Sequence, residues 1–258
     1  MNMRKKIISR LLIILLIAVM MLTLASCSKY RTIDEIKESG KIVMGTNAEF
    51  PPFEYKDDNG EVDGFDAAVA KEIAEELGVE LKIEDMKFES LISALKSGKI
   101  DFIAAGMSIT EDRKKNVDFS DEYYTASQKI IVRKDNTEIK GKDDLKGKKV
   151  GVQQGTTGDE EASKIKDVKM NRYNKALDAI TDLKNGKIDA IVLDASTSEV
   201  FVSKNDDLMI LDEQLTDEAY AIAIAKGNKE LVDVVNKVIK DLKDSGKYDE
   251  LVEKYIGE

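Results

Sequence analysis

From residue 41 onward the chain alternates between two spacings of apolar residues. Lys41–Thr46 is a short, mostly apolar run, the pattern of a strand covered on both faces. In Gly64–Leu77 the residues Phe65, Val69, Ile73 and Leu77 recur at every fourth position and Gly78 follows, which predicts a helix with a glycine stop. Leu81–Ile83 reads as a second strand. Leu91, Ile92 and Leu95 form the apolar face of a second helix ended by Gly98, and Ile100–Ala105 reads as a third strand. Strands alternating with helices predict a parallel sheet with crossover helices.

The pattern then starts again. Lys149–Val152 reads as a strand and Glu160–Lys166 as a helix. Ala176, Leu177, Ile180 and Leu183 make one helix face stopped by Gly186, and Ile188–Leu193 is a strand. The segment LKSGKIDFI at 95–103 returns as LKNGKIDAI at 183–191. Each copy spells the last turn of a helix, a glycine able to take the left-handed cap conformation, and the start of a buried strand. Two copies predict two sheets of similar build. This local grammar also recurs in α/β proteins generally, so it is weak evidence alone.

Two extended apolar segments, Lys129–Val132 and Tyr220–Ala225, connect the halves. The tail 226–258 returns to helix, with Leu231, Val234, Val235, Val238, Ile239 and Leu242 on one face. The expected organisation is an α/β chain of two lobes joined by a two-strand hinge. Lobe 1 comprises 32–128 plus 222–258 and lobe 2 comprises 129–221, with hinge strands near 128–132 and 219–225. A cleft between hinged lobes is a common ligand site.

The first 26 residues stand apart. Arg4, Lys5, Lys6 and Arg10 precede the wholly apolar run 11–22, which is short of the ~20 residues a spanning helix needs, so the segment reads as a secretory signal. It ends in Leu24-Ala25-Ser26-Cys27, and Cys27 is the single cysteine of the chain. An unpaired cysteine at that place needs a role other than a disulfide. These four residues resemble the lipobox of bacterial lipoproteins. The resemblance implies cleavage before Cys27, acylation of its thiol (diacylglyceryl, palmitate), and a lipid anchor on the extracytoplasmic face of the cell membrane. Residues 27–31 would be a tether reaching at most ~15 Å.

The formal charge is −10, and loss of the four basic residues in the signal leaves −14. Such a surface disfavours nucleic acid. The chain has no histidine, which removes Ser-His-Asp and Cys-His catalysis together with the commonest zinc ligand. No metal and no cofactor are expected.

In open α/β sheets ligands lie beyond the carboxyl ends of strands. After the first strand comes Phe50, beside the stiff pair Pro51-Pro52; it is either an exposed aromatic wall or a core plug. After the third come Gly106, where a ligand can approach the backbone, Ser108, and Arg113, able to grip a carboxylate through two hydrogen bonds. Arg113 could instead pair with Glu111 or Asp112 on a helix surface. Thr156 and Thr157 open the next helix and offer free N–H groups to an anion, or simply cap it. Asp194 ends the apolar strand of the second half, as a partly buried carboxylate that needs a cation, or as a helix cap. A carboxylate receiver, an ammonium receiver and an aromatic wall suit a free α-amino acid.

At this point the chain resembles a family. GTNAEFPPFEY, GFDAAVAKEIAEELG, SLISALKSGKIDFIAAGMSITEDRKKNVDFSDEYY, LKGKKVGVQQGTTG and GKIDAIVLD match, in order and spacing, the family-3 solute-binding proteins of polar amino-acid ABC importers. The match covers about 33–256. Ala68 replaces the family's usual second acid, at a position read as helix surface. The resemblance implies the two-lobed type II periplasmic-binding-protein fold. It implies an extracytoplasmic lipoprotein that binds a polar L-amino acid between closing lobes and delivers it to an ABC permease and ATPase, as a monomer and not as an enzyme. A surface sensor or adhesin with the same fold is the alternative. By resemblance Arg113, Ser108, Thr156 and Thr157 take the α-carboxylate, Asp194 and the Gly106 carbonyl the α-ammonium, and Phe50 and Phe88 form the walls. Asn47 stands where the family often has an aspartate reading the side-chain end, which argues against a strictly cationic ligand. Gln153, Glu49 and Leu193 are further candidates there.

Overall fold

The computed structural model describes residues 30–257; the signal segment and Cys27 lie outside them. No helix among the described residues is long and apolar enough to cross a membrane.

Two five-stranded sheets carry the fold. The first runs in the order Glu80–Asp85, Lys41–Thr46, Phe102–Ile103, Ala223–Ala225, Val117–Phe119. The second runs Lys169–Tyr173, Lys149–Gln153, Ala190–Asp194, Gln128–Arg133, Leu208–Ile210. In each, the first three strands are parallel. The fourth, Ala223–Ala225 in one and Gln128–Arg133 in the other, is antiparallel to its neighbours on both sides. The sheets are therefore mixed rather than purely parallel. No crossover helix leads into Ala223–Ala225 or Gln128–Arg133, and a strand reached by direct chain passage is free to pair antiparallel.

Between the sheets the chain passes twice. Tyr124–Ala126 and Glu218–Tyr220 pair antiparallel as a separate two-stranded ribbon. A small sheet of Glu49–Phe50, Glu54–Lys56 and Val62–Asp63 shapes the loop after the first strand.

The repeated segment has one structural meaning. Gly98 and Gly186 both sit at positive φ, 72° and 68°. Three residues on, just before each strand, Asp101 and Asp189 clamp the neighbouring parallel strand in the same way. Asp101 donates its N–H to Val43 O and accepts the Val43 N–H on its side chain at 2.7 Å; Asp189 does the same with Lys149 at 2.8 Å. Each copy leads into the third parallel strand of its sheet, Phe102–Ile103 in the first and Ala190–Asp194 in the second.

Helix Phe65–Leu77 buries Phe65, Val69, Ile73 and Leu77 as its period requires. Ala68 is buried rather than on the surface, because the whole first turn of this helix, Asp66 included, is enclosed. Helix Ala176–Lys184 buries Ala176, Ala179, Ile180 and Leu183, while Leu177 is 49 % exposed. Leu177 is turned ~100° away from that face, and Ala179 takes the place assigned to it. The apolar tail is two helices, Lys229–Ser245 and Lys247–Tyr255, broken at Gly246 with φ 79°. The helix after Gln153 is Thr157–Ser163, earlier than Glu160–Lys166, because Thr156 supplies the cap.

Candidate functional site

The carboxyl ends of the parallel strands of both sheets converge on one narrow cavity. Phe50, Phe88, Gly106, Ser108 and Arg113 line it from one side and Gln153, Thr156, Thr157, Leu193 and Asp194 from the other. Glu54, Ala105, Gln128 and Tyr220 complete the wall.

Arg113 sits in the short helix Glu111–Lys114, capped by Thr110. It is only 6 % exposed. Glu111 and Asp112 pair with Lys114 and Lys115 instead, so the surface reading of Arg113 is excluded. Its Nη1 donates to Ser108 O at 2.8 Å and its Nη2 to Gly155 O at 3.0 Å, and its guanidinium lies 5.3 Å from the centre of the Phe88 ring. Among the described residues it forms no salt bridge, the nearest acidic influences being Glu160 and Glu218. A buried guanidinium held by two carbonyls and one ring lacks a counter-ion, which is costly unless something anionic arrives.

Asp194 ends the strand Ala190–Asp194 and is 1 % exposed. It does cap the following helix: Oδ1 accepts from Ser196 N at 3.0 Å and Thr197 N at 3.3 Å. The second oxygen accepts the Tyr220 hydroxyl at 2.6 Å. Burial first, with the Glu218 charge beside it, pushes the Asp194 carboxyl up to about 7, against the Tyr220 and backbone hydrogen bonds. The capping and cation readings are thus compatible, since a carboxylate has more than one lone pair to offer.

Gly106, at φ 51°, lets Phe50 pack flush on the backbone; a Cβ there would come 3.1 Å from the Phe50 ring. Its N–H is held by Asp66 Oδ2 at 2.8 Å, and Tyr123 donates to Asp66 Oδ1 at 2.7 Å. Burial raises Asp66 to about 6. Glu54, in the cavity wall, is raised well above the usual range by burial and then by the Asp66 charge. Gln153 Oε1 meets no hydrogen-bond partner among the described residues, and the Glu54 carboxyl has only the Asp66 carboxyl beside it. The wall thus holds an amide oxygen and a buried carboxyl that a donor on a ligand can reach.

Three sequence candidates sit differently from expectation. Asn47 is buried but does not line the cavity: its Nδ2 donates to Met86 O at 2.9 Å and its Oδ1 accepts from Gln153 Nε2 at 2.7 Å. Its neutrality therefore says nothing direct about ligand charge. Glu49 lies outside the cavity wall and pairs with Lys175 of the opposite side at 2.5 Å. The Thr156 hydroxyl is engaged within its own loop, donating to Gln153 O at 2.8 Å and accepting from Asp159 N at 3.3 Å. Glu54, Asp66, Gln128, Glu218 and Tyr220 escaped sequence reading. Acids inside apolar contexts, Phe53-Glu54-Tyr55 and Phe65-Asp66-Ala67, were the available signal for two of them.

A family model described as bacterial extracellular solute-binding proteins, family 3, matches residues 42–258. The arginine-binding extracellular protein ArtP of Bacillus subtilis is 40 % identical over 227 residues, covering 85 % of this chain and 88 % of that protein. The ABC transporter glutamine-binding protein GlnH of the same organism is 36 % identical over 237 residues, covering 90 % and 86 %. Among solved structures, the arginine-bound form of truncated ArgBP from T. maritima superposes with a TM-score of 0.80 at 51 % identity, covering 81 % of this chain and 99 % of that one.

Proposed function

The chain belongs to the bacterial extracellular solute-binding proteins of family 3, and from that premise we propose that it is the amino-acid receptor of an ABC importer whose ligand is a basic L-amino acid, arginine first. One observation carries the reading: a buried guanidinium without a salt bridge and a buried carboxyl face a single cavity whose wall also holds the unmatched Gln153 Oε1 and the buried Glu54 carboxyl.

In this reading the ligand carboxylate pairs with Arg113 through two parallel hydrogen bonds. The α-ammonium goes to Asp194 and the Gly106 carbonyl. An ammonium brought to Asp194 favours its ionised form and lowers the raised pKa. The side chain lies between Phe50 and Phe88 and ends at Gln153 Oε1 and Glu54, where a guanidinium supplies the missing donors. Arginine also accords with the names of ArtP and ArgBP, whereas GlnH keeps a neutral ligand as the competing outcome.

The chain divides at the ribbon of Tyr124–Ala126 and Glu218–Tyr220 into two lobes that close on the ligand. Arg113 holding Gly155 O, and Gln153 holding Asn47, are contacts between the two lobes that support this division. The protein acts as a monomer anchored through lipidated Cys27 on the extracytoplasmic face, and hands its ligand to the permease without chemistry.

Thermal unfolding of the protein, refolded to strip carried-over ligand, tests this against each amino acid. A ligand at a thousandfold its Kd adds ~4 kcal/mol, roughly 8–16 °C at this size. A shift with arginine supports the proposal. A shift only with glutamine or another neutral amino acid reassigns Glu54 and Gln153, and no shift with any amino acid overturns the receptor reading.

A further inference from the structure

Ser108 and Thr157 are the two hydroxyls beside Arg113, one from each side of the cavity. Both donate to the same oxygen of Glu218, a residue of the connecting ribbon: Ser108 Oγ at 2.5 Å and Thr157 Oγ1 at 2.8 Å. Glu218 is the acceptor in both, since a carboxylate has no proton to give; Thr157 Oγ1 itself accepts from Gln128 Nε2 at 3.3 Å and lies 3.4 Å from Ser108 Oγ. Ser108 also makes a backbone bridge with Tyr220, two residues from Glu218. Glu218 itself is not part of the cavity wall, so its carboxylate stands behind the hydroxyls. Its other oxygen is buried and meets no partner among the described residues.

We propose that Glu218 is the positioning residue of the carboxylate seat: by collecting the hydroxyl protons of Ser108 and Thr157 it staples the two lobes through the ribbon and sets which way those hydroxyls face. The proposal rests on the preceding reading that a ligand carboxylate sits at Arg113. A hydroxyl has one proton. While both protons point at Glu218, the oxygens turn lone pairs toward the cavity. A ligand carboxylate then meets two acceptors beside Arg113, and can gain their protons only by taking them from Glu218. A ligand ending in a carboxamide meets the same lone pairs with N–H groups of its own. Glu218 thereby narrows the preference for acid over amide that Arg113 alone would impose, and shifts the ligand-free lobes toward the closed form that the ligand completes.

The test measures the Kd of L-arginine and of L-argininamide for the wild type, Glu218→Ala and Glu218→Gln. Closure costs the same for both ligands and cancels in the ratio. In Glu218→Ala the freed hydroxyls turn to the ligand carboxylate, and the preference for the acid is expected to rise about tenfold, the scale of one hydrogen bond to a charged group. Glu218→Gln keeps an acceptor oxygen of the same shape, folds where alanine fails, and should show a smaller rise. A ratio unchanged or lowered in both variants overturns the proposal, since a merely structural role shifts both Kd values alike. Small-angle scattering of the ligand-free proteins is the second arm and needs no ligand. The wild type should be more compact than Glu218→Ala, which should have a larger radius of gyration; equal radii overturn the staple. Failure of wild type to bind either ligand counts against the preceding reading, and the scattering arm still decides the staple.

Discussion

Arg113 reaches across the cleft to the backbone of Gly155, its Nη2 donating to that carbonyl at 3.0 Å while its Nη1 holds Ser108 O at 2.8 Å. One side chain thus ties the loop after the third strand of the first sheet to the loop opening a helix of the second. Removing it removes the ligand's counter-ion and a closure contact together. Arg113→Ala is expected to weaken amino-acid binding by ~2–5 kcal/mol, about three-hundredfold at mid-range. Calorimetric titration reads it. Ligand-free stability should hold or rise, because a buried cation without a salt bridge has been removed. Arg113→Lys should rescue little, since an ammonium cannot reproduce the fork.

Asp194 gives the pH dependence its sign. Its folded value, about 7, lies above the 3.8 of an exposed aspartate. The stability it contributes is full below about 3.8 and is lost as pH rises toward about 7. Asp66, raised to about 6, acts in the same direction. Ligand-free melting temperature should fall across that window, less steeply in Asp194→Asn. Binding should run the opposite way: below pH ~7 a proton competes with the ligand ammonium, and affinity should fall by up to tenfold per pH unit in the wild type. A wild-type affinity independent of pH between 5 and 8 would contradict the ammonium assignment.

The repeated aspartates should not be equal. Asp101 is buried and holds both the Val43 N–H and the Arg31 guanidinium, whose Nε lies 2.9 Å away. Asp189 is half-buried and its side chain holds the Lys149 N–H. Asp101→Ala strands a buried donor and a cation, and should cost ~2–3 kcal/mol in urea unfolding; Asp189→Ala should cost ~1 kcal/mol. Equal losses would mean that the surroundings of the two copies do not matter.

At the rim, the Glu49–Lys175 pair spans the cleft with half of the lysine exposed. Exposed pairs are worth little and are screened by salt. Lys175→Ala should change ligand affinity less than threefold, and the change should vanish in 0.5 M salt. A loss comparable to that of Arg113→Ala would place Glu49 in the ligand contact after all.

Local pattern sufficed for the elements and for the ends of strands. The four-residue period of Phe65–Leu77 and the glycine stops at Gly98 and Gly186 specify helix, cap and strand because each depends on neighbours in the chain. Phe50, Ser108, Arg113, Thr157 and Asp194 were legible because each follows an apolar strand, where a polar group has to meet something. What the tertiary structure decided depends on partners distant in sequence. The two antiparallel insertions make the sheets mixed, and enclosure of the first turn of helix Phe65–Leu77 buries Ala68 and Asp66. Asn47 is drawn off the cavity by Gln153, 106 positions away. Glu218 meets Ser108 from 110 positions away. Hydrogen bonds of that span leave no period in the sequence, and only packing of the two sheets about the ribbon brings their atoms within 3 Å.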